Sequence, residues 1–266
     1  MKFPALHVAA IAALSLSSSC GASTPAGSVP IAGGAWPGTP YVTVHIDTLL
    51  PDKAPQFMSA RRAWVDELER AHAADHRGWF FEVPGERVLT MQPLARFADL
   101  DGGKADRENA LEKVPKAALE KYDRLCDESL AFPHTSEIWR VDADLSYAPA
   151  DAGIDLVHAG AIRMTLDDVR ADTASVSRYD DAWAQVKVAL AAAHYPLTRV
   201  AFHTVYGSGR RASFWLAKTK AQLDAAPDLT KTIGLETQAI LDSAIAASVL
   251  RHEVRDVVPR MDLSSP

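Results

Sequence analysis

Apolar and polar residues alternate from Tyr41 to Leu49, with Val42, Val44 and Ile46 on one face and Tyr41, Thr43, His45 and Asp47 on the other. A period of two predicts a strand with two different environments. Asp52 and Pro55 then supply a helix start. Phe57, Ala60, Trp64, Leu68 and Ala71 follow at helical spacing, with Arg61, Arg62, Glu67, Glu69 and Arg70 read as mostly outward. Trp79 to Val83, Pro84-Gly85 and Arg87 to Gln92 read as a hairpin. A second helical region from about Asp106 to Leu130 is interrupted at Pro115. Glu137 to Leu145 reads as a closing strand.

The same order returns after a linker rich in Pro, Ala and Asp. Val157 to Leu166 reads as a strand, and Val176, Tyr179, Trp183, Val186 and Leu190 as a helical stripe that Pro196 ends. Arg199 to Tyr206, Gly207-Ser208-Gly209 and Arg211 to Lys218 form a hairpin pattern. Leu235 to Leu250 is helical, and Glu253 to Leu263 closes. Trp64 and Trp183 fall at matching points of the two stripes. Asp262-Leu263-Ser264 echoes Asp144-Leu145-Ser146 at the ends of the two units.

A βαββαβ order with this alternation is ferredoxin-like. The stretch Tyr41 to Leu263 resembles the dimeric α+β-barrel superfamily in a fused, pseudo-dimeric form, of the antibiotic-biosynthesis-monooxygenase and NIPSNAP types. The resemblance rests on element order and pattern, so no catalytic residue is carried over from it. It implies an α+β fold: two tandem ferredoxin-like units forming an intrachain pseudo-dimeric barrel. The units span 41–150 and 151–266, after a signal peptide at 1–19 and a tether at 20–40. With Val42, Val44 and Ile46 packed on helices, Tyr41, Thr43, His45 and Asp47 are expected to point into the barrel.

Composition adds the address. The hydrophobic fraction of 48% and charged fraction of 23% are those of a soluble globular protein. A formal net charge of −6 gives no electrostatic reason to bind nucleic acid. Met1-Lys2, the apolar Ala5–Leu16 and the small residues up to Gly21 follow the order of a secretory signal. Leu16-Ser17-Ser18-Ser19-Cys20 resembles a bacterial lipoprotein signal, with Cys20 as the lipidated residue; ordinary cleavage after Ala22 and secretion is the competing reading. The membrane would then be a partner only through that anchor, in the periplasm or at the outer membrane.

Candidate chemistry follows the strand faces. His45 and Asp47 share a face, and an imidazole beside a carboxylate can act as a general base. Pairing Ile46 with Ile162 makes Asp47 and Arg163 mates that could meet across the barrel. His203 and Trp139 are candidates for the wall of a site, and His203 is also a candidate haem ligand. His72 and His76 have a metal-like spacing but read as a fraying helix end. Cys126 reads as a buried, inert thiol. Asp99-Leu100-Asp101-Gly102-Gly103 lacks the Gly and Glu of a calcium loop, standing as Lys104 and Ala110. Two functions follow. One is a small-molecule or haem-related pocket protein with monooxygenase-like activity on an apolar molecule. The other is a non-enzymatic envelope lipoprotein whose barrel is filled by side chains. A void in the barrel favours the first and a packed interior the second. Neither cofactor nor enzyme status is fixed by the sequence.

Overall fold

The computed structural model describes residues 39–72, 78–100, 108–109, 111–149 and 154–264. The signal, most of the tether, Cys20, His76 and Asp101-Gly102-Gly103 lie outside the described residues. The elements are β1 Tyr41–Leu49, α1 Ala54–Arg70, β2 Trp79–Val83, β3 Arg87–Leu94, α2 Lys116–Asp127 and β4 Leu130–Tyr147. They continue with β5 Ala161–Val169, α3 Thr173–Ala192, β6 Thr198–Tyr206, β7 Arg210–Ala217, α4 Lys220–Asp224, α5 Leu229–Ser248 and β8 Val249–Pro259. A 3-10 turn follows at Met261–Leu263.

The strands close into one antiparallel barrel in the order β1-β3-β2-β8-β5-β7-β6-β4. Read around the ring, the first half runs fourth, first, third, second strand (β4-β1-β3-β2). The second half repeats that order as β8-β5-β7-β6. The first closing strand is longer than expected, starting at Leu130 rather than Glu137. The second unit's opening strand starts at Ala161 rather than Val157.

The expected assignment of faces is reversed. Val42, Val44 and Ile46 point into the barrel, where they pack with Leu89, Met91, Trp139, Ile162, Met164, Leu166, Phe202 and Phe214. An eight-stranded barrel is just wide enough for its own side chains to fill, so the closed interior takes the apolar face. The gap bounded by Phe81, Leu89, Met91, Leu156, Ile162, Phe214 and Val257 has no room for a water molecule. Ile154, Leu156 and Ala159, leading out of the linker, join this core. Toward the other end lie ion pairs: Arg87–Glu253 at 2.8 Å, Arg210–Asp168 at 3.0 Å and Arg251–Glu253 at 3.1 Å.

The helices cover the outer face. A shift of 120 positions carries Val42, Val44 and Ile46 onto Ile162, Met164 and Leu166, so Ile162 matches Val42 and not Ile46. In the helices, the buried set Phe57, Arg61, Trp64, Val65 and Leu68 matches Ser175, Tyr179, Ala182, Trp183 and Val186 at a shift of 118. Trp183 therefore matches Val65, one place from the register that the two tryptophans suggest.

The two Asp-Leu-Ser segments are exchanged between the halves. Leu145 and Ser146, at the end of β4, dock on the second half. The Leu145 carbonyl accepts from Arg199 Nη1 at 2.5 Å, and Ser146 Oγ accepts from the Ala201 amide at 2.9 Å. Leu263 and Ser264 dock on the first half in the same manner. The Leu263 carbonyl accepts from Arg61 Nε at 3.1 Å, and Ser264 Oγ accepts from the Phe80 amide at 2.9 Å. Leu263 is fully buried against Leu49, Phe57, Phe80 and Val88. Asp262 adds ion pairs to Arg62 and Arg260.

Candidate functional site

With the barrel filled, the polar face of β1 meets the helices instead. Between β1, β3, β4 and the helices α1 and α2 lies a cavity of about 420 Å³. Its floor is polar: His45 and Asp47 from β1, Thr90 and Gln92 from β3, His134 and Ser136 from β4. Its roof is largely apolar: Trp64 and Leu68 from α1, and Leu111, Leu119 and Tyr122. The volume falls in the usual range of small-molecule pockets, which are apolar with a few placed polar groups.

Strand pairing fixes the floor. His45 faces Ser136 across β1 and β4, and His45 Nδ1 lies 2.8 Å from Ser136 Oγ. The pairing shifts between Ile46 and Thr48, and His134 Nδ1 comes to 3.6 Å from Asp47 Oδ1. Burial pushes the Asp47 carboxyl above its ordinary value, opposed by His134 and His45. The result is a carboxylate held closer to the range of a general base, with an imidazole on either side.

The roof is fixed by stacking. Tyr122 lies flat on Trp64, with ring centroids 4.9 Å apart and planes at 9°. Burial raises the Tyr122 hydroxyl to about 12 and the Cys126 thiol to about 11. Cys126 lines the cavity but stays protonated at neutral pH, in keeping with an inert thiol. Arg61, expected outward, is 8% exposed. Its place between Phe57 and Trp64 in the helical period is what buries it. Its guanidinium lies 5.2 Å over the Phe80 ring.

Of the candidate site residues, His45 and Asp47 share this cavity, which Trp64 and Cys126 also line, while Arg163, Trp139 and His203 stand elsewhere. Arg163 does not meet Asp47. It is on the outer face of β5, where it pairs with Asp256 at 2.8 Å and Asp224 at 3.4 Å. The position matching Asp47 is Asp167. Trp139 is fully buried inside the barrel, with Nε1 donating to Glu137 at 2.6 Å. His203 faces the second half's helices, with Nδ1 3.3 Å from Asp142. Arg61, Tyr122, His134 and Ser136 were missed. The helical period could have found Arg61; His134 and Ser136 precede the point where the closing strand was expected to start. No group of three or more His, Cys, Asp or Glu suited to a metal occurs among the described residues.

Among the described residues, the second half closes over its aspartate. Asp167, 1% exposed, accepts from Tyr179 Oη at 2.6 Å and lies 2.6 Å from His252 Nδ1. Arg199 lies 3.7 Å over the Trp183 ring. It is completely buried, which lowers its guanidinium to about 10.

No family model matches the chain, and no curated sequence relative matches it. Solved structures are similar in overall shape. One is a candidate monooxygenase from Fusobacterium nucleatum, with 10% identity and TM-score 0.47, covering 84% of this chain and 94% of that one. An anthrone oxidase-like protein gives 14% identity and TM-score 0.49, covering 84% and 92%. Chlorite dismutase from Candidatus Nitrospira defluvii, in complex with imidazole, gives 9% identity and TM-score 0.42, covering 84% and 93%. This chain has an α+β fold, a closed eight-stranded antiparallel barrel with its helices on the outer face.

Proposed function

We propose that the chain is an exported small-molecule pocket protein whose site is the first-half cavity, with monooxygenase-like chemistry begun by removal of a proton. The observation that carries this reading is the 420 Å³ space with a polar floor and a roof in which Trp64, Leu68 and Leu119 offer an apolar surface beside Arg61 and Asp123. An apolar body lies against Trp64, Leu68 and Leu119. His45 and Asp47 take the proton from an acidic O–H or C–H of the ligand, and His134 balances the carboxylate. The electron-rich carbon of the anion left behind adds dioxygen, and the hydroperoxide so formed loses water to leave a carbonyl. The ligand's own CH2 thus supplies the electrons; one oxygen atom is kept and the other leaves as water. The repeated fourth-first-third-second strand order supports reading the two halves as tandem ferredoxin-like units. The small-residue run ending at Cys20 supports export with a lipid anchor.

The test is oxygen consumption by the full chain in the presence of small aromatic molecules. Saturable uptake that disappears in His45→Ala at unchanged melting temperature supports the reading; unchanged uptake removes His45 from the chemistry. A haemin titration separates the haem-related form. A saturable Soret shift lost in His45→Ala makes the cavity a haem pocket, and no shift leaves cofactor-free chemistry.

The packed barrel favours a second reading, a non-enzymatic envelope module. On that reading the cavity binds without turnover, and oxygen uptake stays at the level of a blank.

A further inference from the structure

The second half supplies its own occupant for the place that the first half leaves open. A shift of 120 positions carries Asp47 onto Asp167, each on the outer face of its half's first strand. Each also meets a histidine of its half's last strand, His134 on β4 and His252 on β8. Above Asp167, α3 contributes Tyr179. Its hydroxyl donates to Oδ2 at 2.6 Å, and its ring leans on Trp183 with centroids 6.3 Å apart. The Asp167 carboxylate is thereby shut off from solvent.

Above Asp47, the residue at the matching helical place is Arg61, which lines the cavity but is not bonded to Asp47. Its Nε goes to the Leu263 carbonyl and its guanidinium lies over Phe80. The cavity's own phenol, Tyr122, is engaged with Trp64, and its hydroxyl interacts with Arg61 and Cys126. Among the described residues, no hydroxyl is bonded to Asp47, and the room that Tyr179 fills in the second half persists here as the cavity.

We propose that the cavity binds a phenol, a small aromatic molecule whose hydroxyl donates to Asp47 as Tyr179 donates to Asp167. This rests on the small-molecule reading above and narrows it to a ligand class. A carboxylate drawn out of water needs a hydrogen-bond donor, and an O–H donating to it makes a short, charge-assisted bond. The aromatic body of the ligand takes the place of the Tyr179 ring, against Trp64, Leu68 and Leu119. A hydrogen bond to a charged acceptor corresponds to about ten- to hundredfold in affinity.

The experiment is calorimetric titration of the full chain with 2-naphthol and with 2-methoxynaphthalene, which keeps the ring system and lacks the donor. We expect one site per chain and at least tenfold tighter binding of 2-naphthol. In Asp47→Ala the preference disappears while 2-methoxynaphthalene binds as before. The ligand pair tests the inference even if Asp47→Ala does not fold. Equal affinity of the two ligands for the unaltered protein overturns the phenol inference and leaves the pocket standing. Binding of neither ligand overturns the small-molecule reading itself.

Discussion

The first half keeps Asp47 beside a cavity of about 420 Å³, with His134 3.6 Å away. The second half keeps Asp167 at 1% exposure, with Tyr179 and His252 each at 2.6 Å. Strand, face and histidine partner are shared. What differs is the helix residue above, Arg61 in one case and Tyr179 in the other. A phenol laid over the aspartate completes a structural core; an arginine drawn sideways to Leu263 leaves a pocket. One barrel thus carries a filled and an open version of the same corner.

The largest expected break in this comparison is Tyr179→Ala. It removes a buried ring and opens a second cavity, costing about 3–5 kcal/mol, to be read from urea unfolding followed by Trp fluorescence. Leu263→Ala comes next. Removing a fully buried leucine costs about 2–4 kcal/mol, and it also loosens the seat of Arg61, so ligand binding in the first half falls with stability. Tyr179→Phe keeps the ring but takes the hydroxyl from a buried carboxylate, costing about 1.5–3 kcal/mol.

The smaller effects sharpen the contrast through pH. Burial raises the Asp47 carboxyl, so its ionised form is disfavoured by folding. Asp47 therefore adds stability as pH falls through its raised folded value, and the gain is complete below the ordinary carboxyl value of 3.8. Asp47→Asn removes that gain, and unfolding of the two proteins at stepped pH shows it. Asp262 has the opposite sign. Hydrogen bonds from Arg260, then Arg62, lower it to about 2, so its contribution is present above 3.8 and is lost as pH falls through about 2. Being exposed, that contribution is below about 1 kcal/mol, and the difference between Asp262→Asn and the unaltered protein shrinks as pH falls from about 4 through about 2.

Much of the fold was legible because period is a local property. The alternation of Tyr41–Leu49 and the stripes holding Phe57 and Tyr179 place these elements where they stand. Alternation shows that a strand has two faces but not which one closes a barrel, and the polar face of β1 went to the wrong side for that reason. The false pairing of Asp47 with Arg163 came from matching Ile46 to Ile162 by residue type; burial matches Ile162 to Val42. His45 and Asp47 were visible because they are neighbours along one strand. His134 and Arg61 reach the same cavity only through strand register and helix packing, which no single segment contains.

Leu263 sits near the last residue described, yet it seats α1, the first helix. A ribosome makes the cavity-bearing half first and reaches Leu263 only after the last barrel strand, β8. Until then Arg61 has no carbonyl to hold it, and the hollow under Phe57 and Phe80 lacks its leucine. A chain interrupted before Met261 carries every strand of the barrel and still has an unfinished pocket roof. Competence to bind is thereby tied to the segment that carries Leu263, on the far side of the second half in sequence.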